Sequence, residues 1–264
     1  MRNQLPQSLQ SYSSLSVQTR TPLGHKLPDD WEEKMTIVNS FRETRFFPSN
    51  DASGDLDEQD DDNELENHGF GPFREHDVNA SWVAVQELNK LGLGEDVQLL
   101  VYEIPVEYQK VQELVPRIWK EHQPRIVVHV GVSGVANAVA LEQCGKNHGY
   151  MGLDNVCSAP GSHCCVEGGP ACLDSTIDME NVRQTVQAAG LHVELSVSHD
   201  AGRYLCDYAY YTSLYFGKGM TAFIHVPPLG KPYTALELAQ ALQTIIWAML
   251  EQLDASAESN VCSI

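Results

Sequence analysis

The chain has 264 residues, 42% of them hydrophobic, and carries 36 acidic against 17 basic side chains, a net charge of −19 at neutral pH. That balance excludes a nucleic-acid surface, which needs clustered cations to replace phosphate counterions. No apolar run of roughly 18 residues is present, which excludes a membrane-spanning helix. Nine of the acids fall between Asp51 and Glu66 with no Lys or Arg among them, the signature of a solvated, unfolded run. The expected organisation is an N-terminal extension over 1–67, acidic at 51–66, one domain over 68–254 and a C-terminal tail over 255–264. Seven cysteines, an odd number, with no secretory segment before them, point to free thiols in a reducing cytoplasm. Cys164 and Cys165, with Cys157 and His148 nearby, lack the paired C-x-x-C spacing of a zinc site, so neither metal nor cofactor is expected.

In chain order, Asn79 caps a helix through Trp82, Val85 and Leu88 that stops at Gly92, and VQLLVYEI at 97–104 reads as a strand. Val111, Leu114, Val115, Ile118 and Trp119 recur at helical spacing, interrupted by Pro116, before a strand RIVVHVGV at 125–132. In AVALEQC, alternation puts Ala138, Ala140 and Glu142 on one face of a strand and Val139 and Leu141 on the other. A helix near 178–189 ends at Gly190, and LHVELSVSH at 191–199 alternates as a strand. Asp200 is the expected N-cap of the next helix, which puts Cys206 within its first two turns. TAFIHVPP is a strand ending in His225. The last helix opens on Thr234 and Glu237 as a capping box and carries Leu238, Leu242, Ile245, Met249 and Leu253 to the core. Helices alternating with strands predict an α/β fold, a three-layer α/β/α arrangement around a mostly parallel twisted sheet.

The chemistry concentrates on Cys206. A helix N-terminus carries partial positive charge, and an imidazole adds more, so a thiolate is favoured there. Spacing alone favours reading Cys206 and His225 as inert buried residues, and Glu142 as a solvated strand-end charge. If Glu142 instead faces His225, it fixes the imidazole tautomer and supports an imidazolium.

Several longer segments bear on that choice: GFGPF at 69–73, VNASW at 78–82, YEIPVEYQ at 102–109, VVHVGVSG at 127–134, LEQCG at 141–145, DAGRYLCD at 200–207 and HVPPLGKPY at 225–233. In these the chain resembles the pyroglutamyl peptidase I family of cysteine peptidases over Gly69 to about Leu253. The resemblance implies removal of an N-terminal pyroglutamyl residue from peptides by a Cys–His pair with a supporting glutamate, at Cys206, His225 and Glu142. It also implies that Phe70 and Phe73 flank the substrate's pyrrolidone ring and that Asn79 belongs to the substrate site. The implied partners are N-terminally pyroglutamylated peptides; the cysteine pattern places the enzyme in the cytoplasm, and a monomer is one open expectation for its oligomeric state.

One departure stands out. The family enters GFGPF through an apolar strand of the kind VVVTGFGPF, where this chain reads DDDNELENHGFGPF. Carboxylates in such number forfeit too much hydration to be buried in a sheet. The family's first strand is then missing unless MTIVNSF at 35–41 folds back across the acidic stretch to replace it. His68 and Arg74, flanking GFGPF, also differ from the family's threonine and glycine. Three readings follow: an active thiol peptidase, a weak or inactive relative that keeps the triad without a formed pocket, and a hydrolase of another cyclic amide or ester.

Overall fold

The computed structural model describes residues 33–42 and 79–261; the acidic block, Phe70 and Phe73 lie outside the described residues. In chain order the elements are β1 (Glu33–Arg42), α1 (Ala80–Leu91), β2 (Val97–Pro105), α2 (Tyr108–His122), β3 (Ile126–Val132), β4 (Val139–Glu142), β5 (Cys144–Lys146), β6 (Cys172–Asp174), α3 (Met179–Ala188), β7 (Leu195–Ser198), α4 (Leu205–Phe216), β8 (Thr221–Val226) and α5 (Ala235–Val261). Six strands form one twisted sheet in the order β2-β1-β3-β8-β4-β7, and β5 and β6 form a separate antiparallel pair. All neighbours in the large sheet are parallel except β4 and β8. Helices α1, α3 and α5 cover one face and α2 and α4 the other, the expected three-layer α/β/α architecture.

The slot that the sequence leaves open is filled. β1 runs parallel to β2 on one side, from Glu33↔Val97, and to β3 on the other, Met35↔Ile126 through Asn39↔Val130. The missing-strand expectation is therefore overturned: the upstream segment crosses back and takes the inner position. The physical reason is that an empty slot would orphan the backbone groups of both β2 and β3, whereas Ile37, Val38 and their neighbours have strand-forming character. The folded sheet thus begins before the boundary expected at residue 68.

Alternation along the strands sorts the two faces. On β3, Ile126, Val128 and Val130 join the core under α1 and α5, while Val127 packs toward α2 and α4. On β8, Ala222, Ile224 and Val226 point to the first core, leaving Thr221, Phe223 and His225 for the α4 side. On β4, Val139 and Leu141 lie in that same first core, so Ala140 and Glu142 face α4. Two catalytic candidates from distant parts of the chain are delivered to one face by period two alone.

Three local expectations need adjustment. α2 runs through Pro116 rather than breaking there: buried Val111, Val115 and Ile118 hold both halves down and offset the lost backbone bond, a cost of about 3 kcal/mol. β7 covers only Leu195–Ser198, and α4 begins at Leu205 after Tyr204, so Asp200 is not its cap. Asp200 instead closes a tight turn, its Oδ1 accepting from Gly202 N at 3.1 Å and from Arg203 Nη1 at 2.6 Å. The capping box of α5 is as expected, with Glu237 Oε2 accepting from Thr234 N at 2.8 Å and Thr234 Oγ1 accepting from Glu237 N at 3.3 Å.

Candidate active site

Cys206 is the second residue of α4, in the turn whose backbone N–H groups have no intrahelical partner. Its half-buried side chain packs against the cluster formed by Tyr210, Leu214 and Phe223, and Cys206 itself lies at the positive end of the helix. The thiol comes close to the sheet because β3 carries Gly131 beneath it. A Cβ at that position would sit 3.2 Å from Cys206 Sγ and 2.9 Å from the Phe223 ring.

His225 stands across from Gly131 on β3 and Ala140 on β4, two small neighbours that leave space around its ring. Glu142 lies opposite Phe223, one diagonal step from His225 on the same face, a spacing that long side chains bridge. The Nδ1 of His225 meets Glu142 Oε1 at 2.7 Å, with the histidine 9% and the glutamate 2% exposed. Both are shielded enough for the ion pair to escape solvent screening. With Nδ1 committed to the carboxylate, Nε2 is the ring nitrogen left free to exchange a proton with Cys206. Burial alone would lower the histidine's pKa; the neighbouring Cys206 and the hydrogen-bonded Glu142 carboxylate outweigh that and raise it to about 10. The second oxygen of Glu142 has no partner among the described residues, and Tyr210 donates to the Glu142 backbone carbonyl at 2.7 Å, tying α4 to β4.

Other buried polar groups frame this trio. Asp207, next to the thiol, accepts from Lys146 N at 3.2 Å, Tyr150 Oη at 2.9 Å and Arg203 Nη1 at 3.4 Å. Desolvation pushes its carboxyl up to about 7, against those three donors. His129, two positions before Gly131, stacks on Phe223 at 6.0 Å and 9°, and burial holds it neutral, at about 3. Phe223 also touches His225 at 4.7 Å and so stands between the two histidines. Sequence reading missed Gly131 and Phe223 as site-forming residues. Their signal was present, since both share the alternation that places His225, but it becomes visible only once the β3–β8 register is known.

Of the other residues implied by resemblance, Phe70 and Phe73 lie outside the described residues. Asn79 caps α1, its Oδ1 accepting from Ser81 N at 3.0 Å and Trp82 N at 3.4 Å. Cys164 and Cys165 turn to different partners: the first thiol lies 3.1 Å from Ser162 Oγ, the second 3.7 Å from the Tyr208 carbonyl.

This geometry meets independent likenesses. The sequence profile of the pyroglutamyl peptidase family matches residues 66–252. Pyroglutamyl-peptidase 1 of Mus musculus is 62% identical over 193 residues, 73% of this chain and 92% of the mouse protein. The Homo sapiens protein of that name is 61% identical over 195 residues, 74% of this chain and 93% of the human one. Among solved structures, a mutant pyrrolidone carboxyl peptidase from the hyperthermophile Pyrococcus furiosus superimposes with a TM-score of 0.62 at 21% identity. It covers 83% of this chain and 99% of that one, a likeness of fold. On the strength of the profile match and of relatives above 60% identity, the chain belongs to the pyroglutamyl peptidase family.

Proposed function

We propose that this chain is a thiol peptidase that removes an N-terminal pyroglutamyl residue from peptides, with Cys206 as nucleophile, His225 as acid–base and Glu142 as the group that orients His225. The observation that carries this reading is the buried 2.7 Å contact between His225 Nδ1 and Glu142 Oε1, with the Cys206 thiol lying over Gly131, the strand partner of His225. Cys206 gives its proton to His225 Nε2, and the thiolate adds to the pyroglutamyl carbonyl carbon. The negative oxygen that forms is met by the unpartnered first-turn N–H groups of α4. Imidazolium then passes its proton to the amine nitrogen, the C–N bond breaks, and the shortened peptide leaves a thioester on Cys206. Water, deprotonated by His225, adds to the thioester, the C–S bond breaks, and pyroglutamic acid and the thiol are released.

Pyroglutamate is small, neutral and without a free amine, so its pocket is apolar with a few amide-matching groups, a role that suits Phe70, Phe73 and Asn79. Solution in a reducing compartment suits an enzyme with a catalytic thiol, and the six described cysteines are all free. Among the described residues no helix is long and apolar enough to cross a membrane. We read the enzyme as a cytoplasmic monomer. With β1 in place, a missing strand no longer argues for an inactive relative.

The test is release of aminomethylcoumarin from its pyroglutamyl amide, beside the prolyl and alanyl amides. Turnover of the pyroglutamyl compound alone supports the reading. Turnover of the other amides, or of none, contradicts it.

A further inference from the structure

The β5–β6 pair carries chemistry that the peptidase reaction does not use. Its register sets Cys144 against Asp174 and Lys146 against Cys172. With a side-chain period of two, these four residues share one face, and Gly145 and Leu173 share the other. That other face is clamped on α4: Leu173 packs on the Tyr210 and Phe223 cluster, and a Cβ on Gly145 would lie 3.1 Å from the Tyr211 backbone. The backbone beneath the polar face is therefore fixed. On that face one ligand atom each from Cys144, Cys172 and Asp174 lies within 4.8 Å of the others. Cys144 Sγ approaches the His199 carbonyl at 3.2 Å, and Lys146 Nζ donates to Cys172 Sγ at 3.3 Å. A cation thus already stands beside the sulfurs.

We propose that Cys144, Cys172 and Asp174 form a binding site for a thiophilic divalent ion of the zinc class, with Lys146 swung aside when the ion enters. Two sulfurs and one carboxylate supply three corners of a tetrahedron, and water supplies the fourth. Thiolate ligands select zinc-like ions over magnesium or calcium. Binding forms two metal–sulfur bonds and one metal–oxygen bond, and the thiol protons pass to solvent. A disulfide is the weaker use of this pair. Cys144 and Cys172 are diagonal across the strands, where Cα separations of about 7–8 Å exceed the roughly 4.4–6.8 Å of a disulfide. The ion fastens the segment that follows Glu142 directly, since Gln143 joins β4 to β5 and donates to the Ser175 and Ile177 carbonyls.

The site is independent of the peptidase reading, and its test runs on full-length Cys206→Ala protein, so that the nucleophile cannot bind the probe. Cadmium chloride is titrated while thiolate-to-metal charge-transfer absorption is followed, and melting temperature is recorded at each ratio. One ion per chain is expected, with a rise in melting temperature. The band should vanish on adding Cys172→Ser, and binding should weaken at least tenfold on adding Asp174→Asn. If Cys172→Ser does not fold, Lys146→Met serves instead and should tighten binding by removing the competing cation. No band, a band that survives Cys172→Ser, or affinity indifferent to both Asp174→Asn and Lys146→Met would overturn the site.

Discussion

The two faces of the large sheet are made by the same strands and yet differ in kind. Under α1, α3 and α5 the core is aliphatic almost throughout, with Val128, Val130, Leu141, Ile224, Leu242 and Ile245 fully buried. Under α4 the same strands bury His129, Glu142 and His225, and α4 adds Asp207 and Tyr210. Hydrophobic burial stabilises the first face without regard to direction, whereas each buried polar group on the second needs a directed partner. Stability and chemistry are thereby separated across one sheet by residues a single position out of phase.

The largest effect expected from breaking this separation is at the thiol. Cys206→Ala should abolish turnover, and His225→Ala should cost nearly as much. The double variant should be no worse than either alone, because the groups act as a unit. Steady-state hydrolysis of the pyroglutamyl coumarin amide reads all three; additive losses would show that the two residues work separately.

Gly131→Ala breaks the separation through packing. Its methyl group would meet Cys206 Sγ at 3.2 Å and the Phe223 ring at 2.9 Å, so the thiol or the ring that supports His225 must shift. A displacement of that size at the reacting atoms is expected to lower kcat/KM by on the order of 100-fold. The overpacking should cost about 1–3 kcal/mol of stability, read by urea unfolding.

Glu142→Gln should lower kcat by roughly 10²- to 10⁴-fold, since it keeps a hydrogen-bonding group but loses tautomer control and charge. It also gives the pH dependence a sign. The folded-state pKa of His225 is raised above its unfolded value, so its favourable contribution is complete below the unfolded pKa and fades as pH rises through about 10. The basic limb of kcat/KM should fall in that alkaline range for the natural chain. In Glu142→Gln, with one of the two supporting contacts weakened, it should move to lower pH. A limb that does not move would remove Glu142 from the machinery.

Leu242→Ala, on the aliphatic face, should have the smallest effect on catalysis. It should cost about 2–5 kcal/mol in urea unfolding yet leave kcat/KM of the folded protein within about twofold. A catalytic loss as large as that of Glu142→Gln would show that the faces are not separable.

Much of this was legible in the sequence, and the failures have physical causes. Alternation in AVALEQC and TAFIHV assigns Glu142 and His225 to definite strand faces, but that the faces coincide depends on the antiparallel β4–β8 register, a long-range fact. The start of α4 was misplaced because Asp200 has the chemistry of a cap and spends it on a turn with Gly202 and Arg203. β5 and β6, three residues each, are too short to show a period. β1 was legible as a strand former but not as an inner strand, because an acidic stretch separates it from the domain. Only the unfilled pairing edges of β2 and β3 give it a place.

The contact between Glu142 and His225 is expected to single out one thiol among the free cysteines. Limited alkylation with iodoacetamide, followed by peptide mass mapping and residual activity at each time, tests it most directly. Inactivation in step with one carbamidomethyl group on Cys206, and slowed in Glu142→Gln, is the predicted result. Inactivation that follows labelling of Cys144, Cys164 or Cys165 while Cys206 stays unmodified would contradict it.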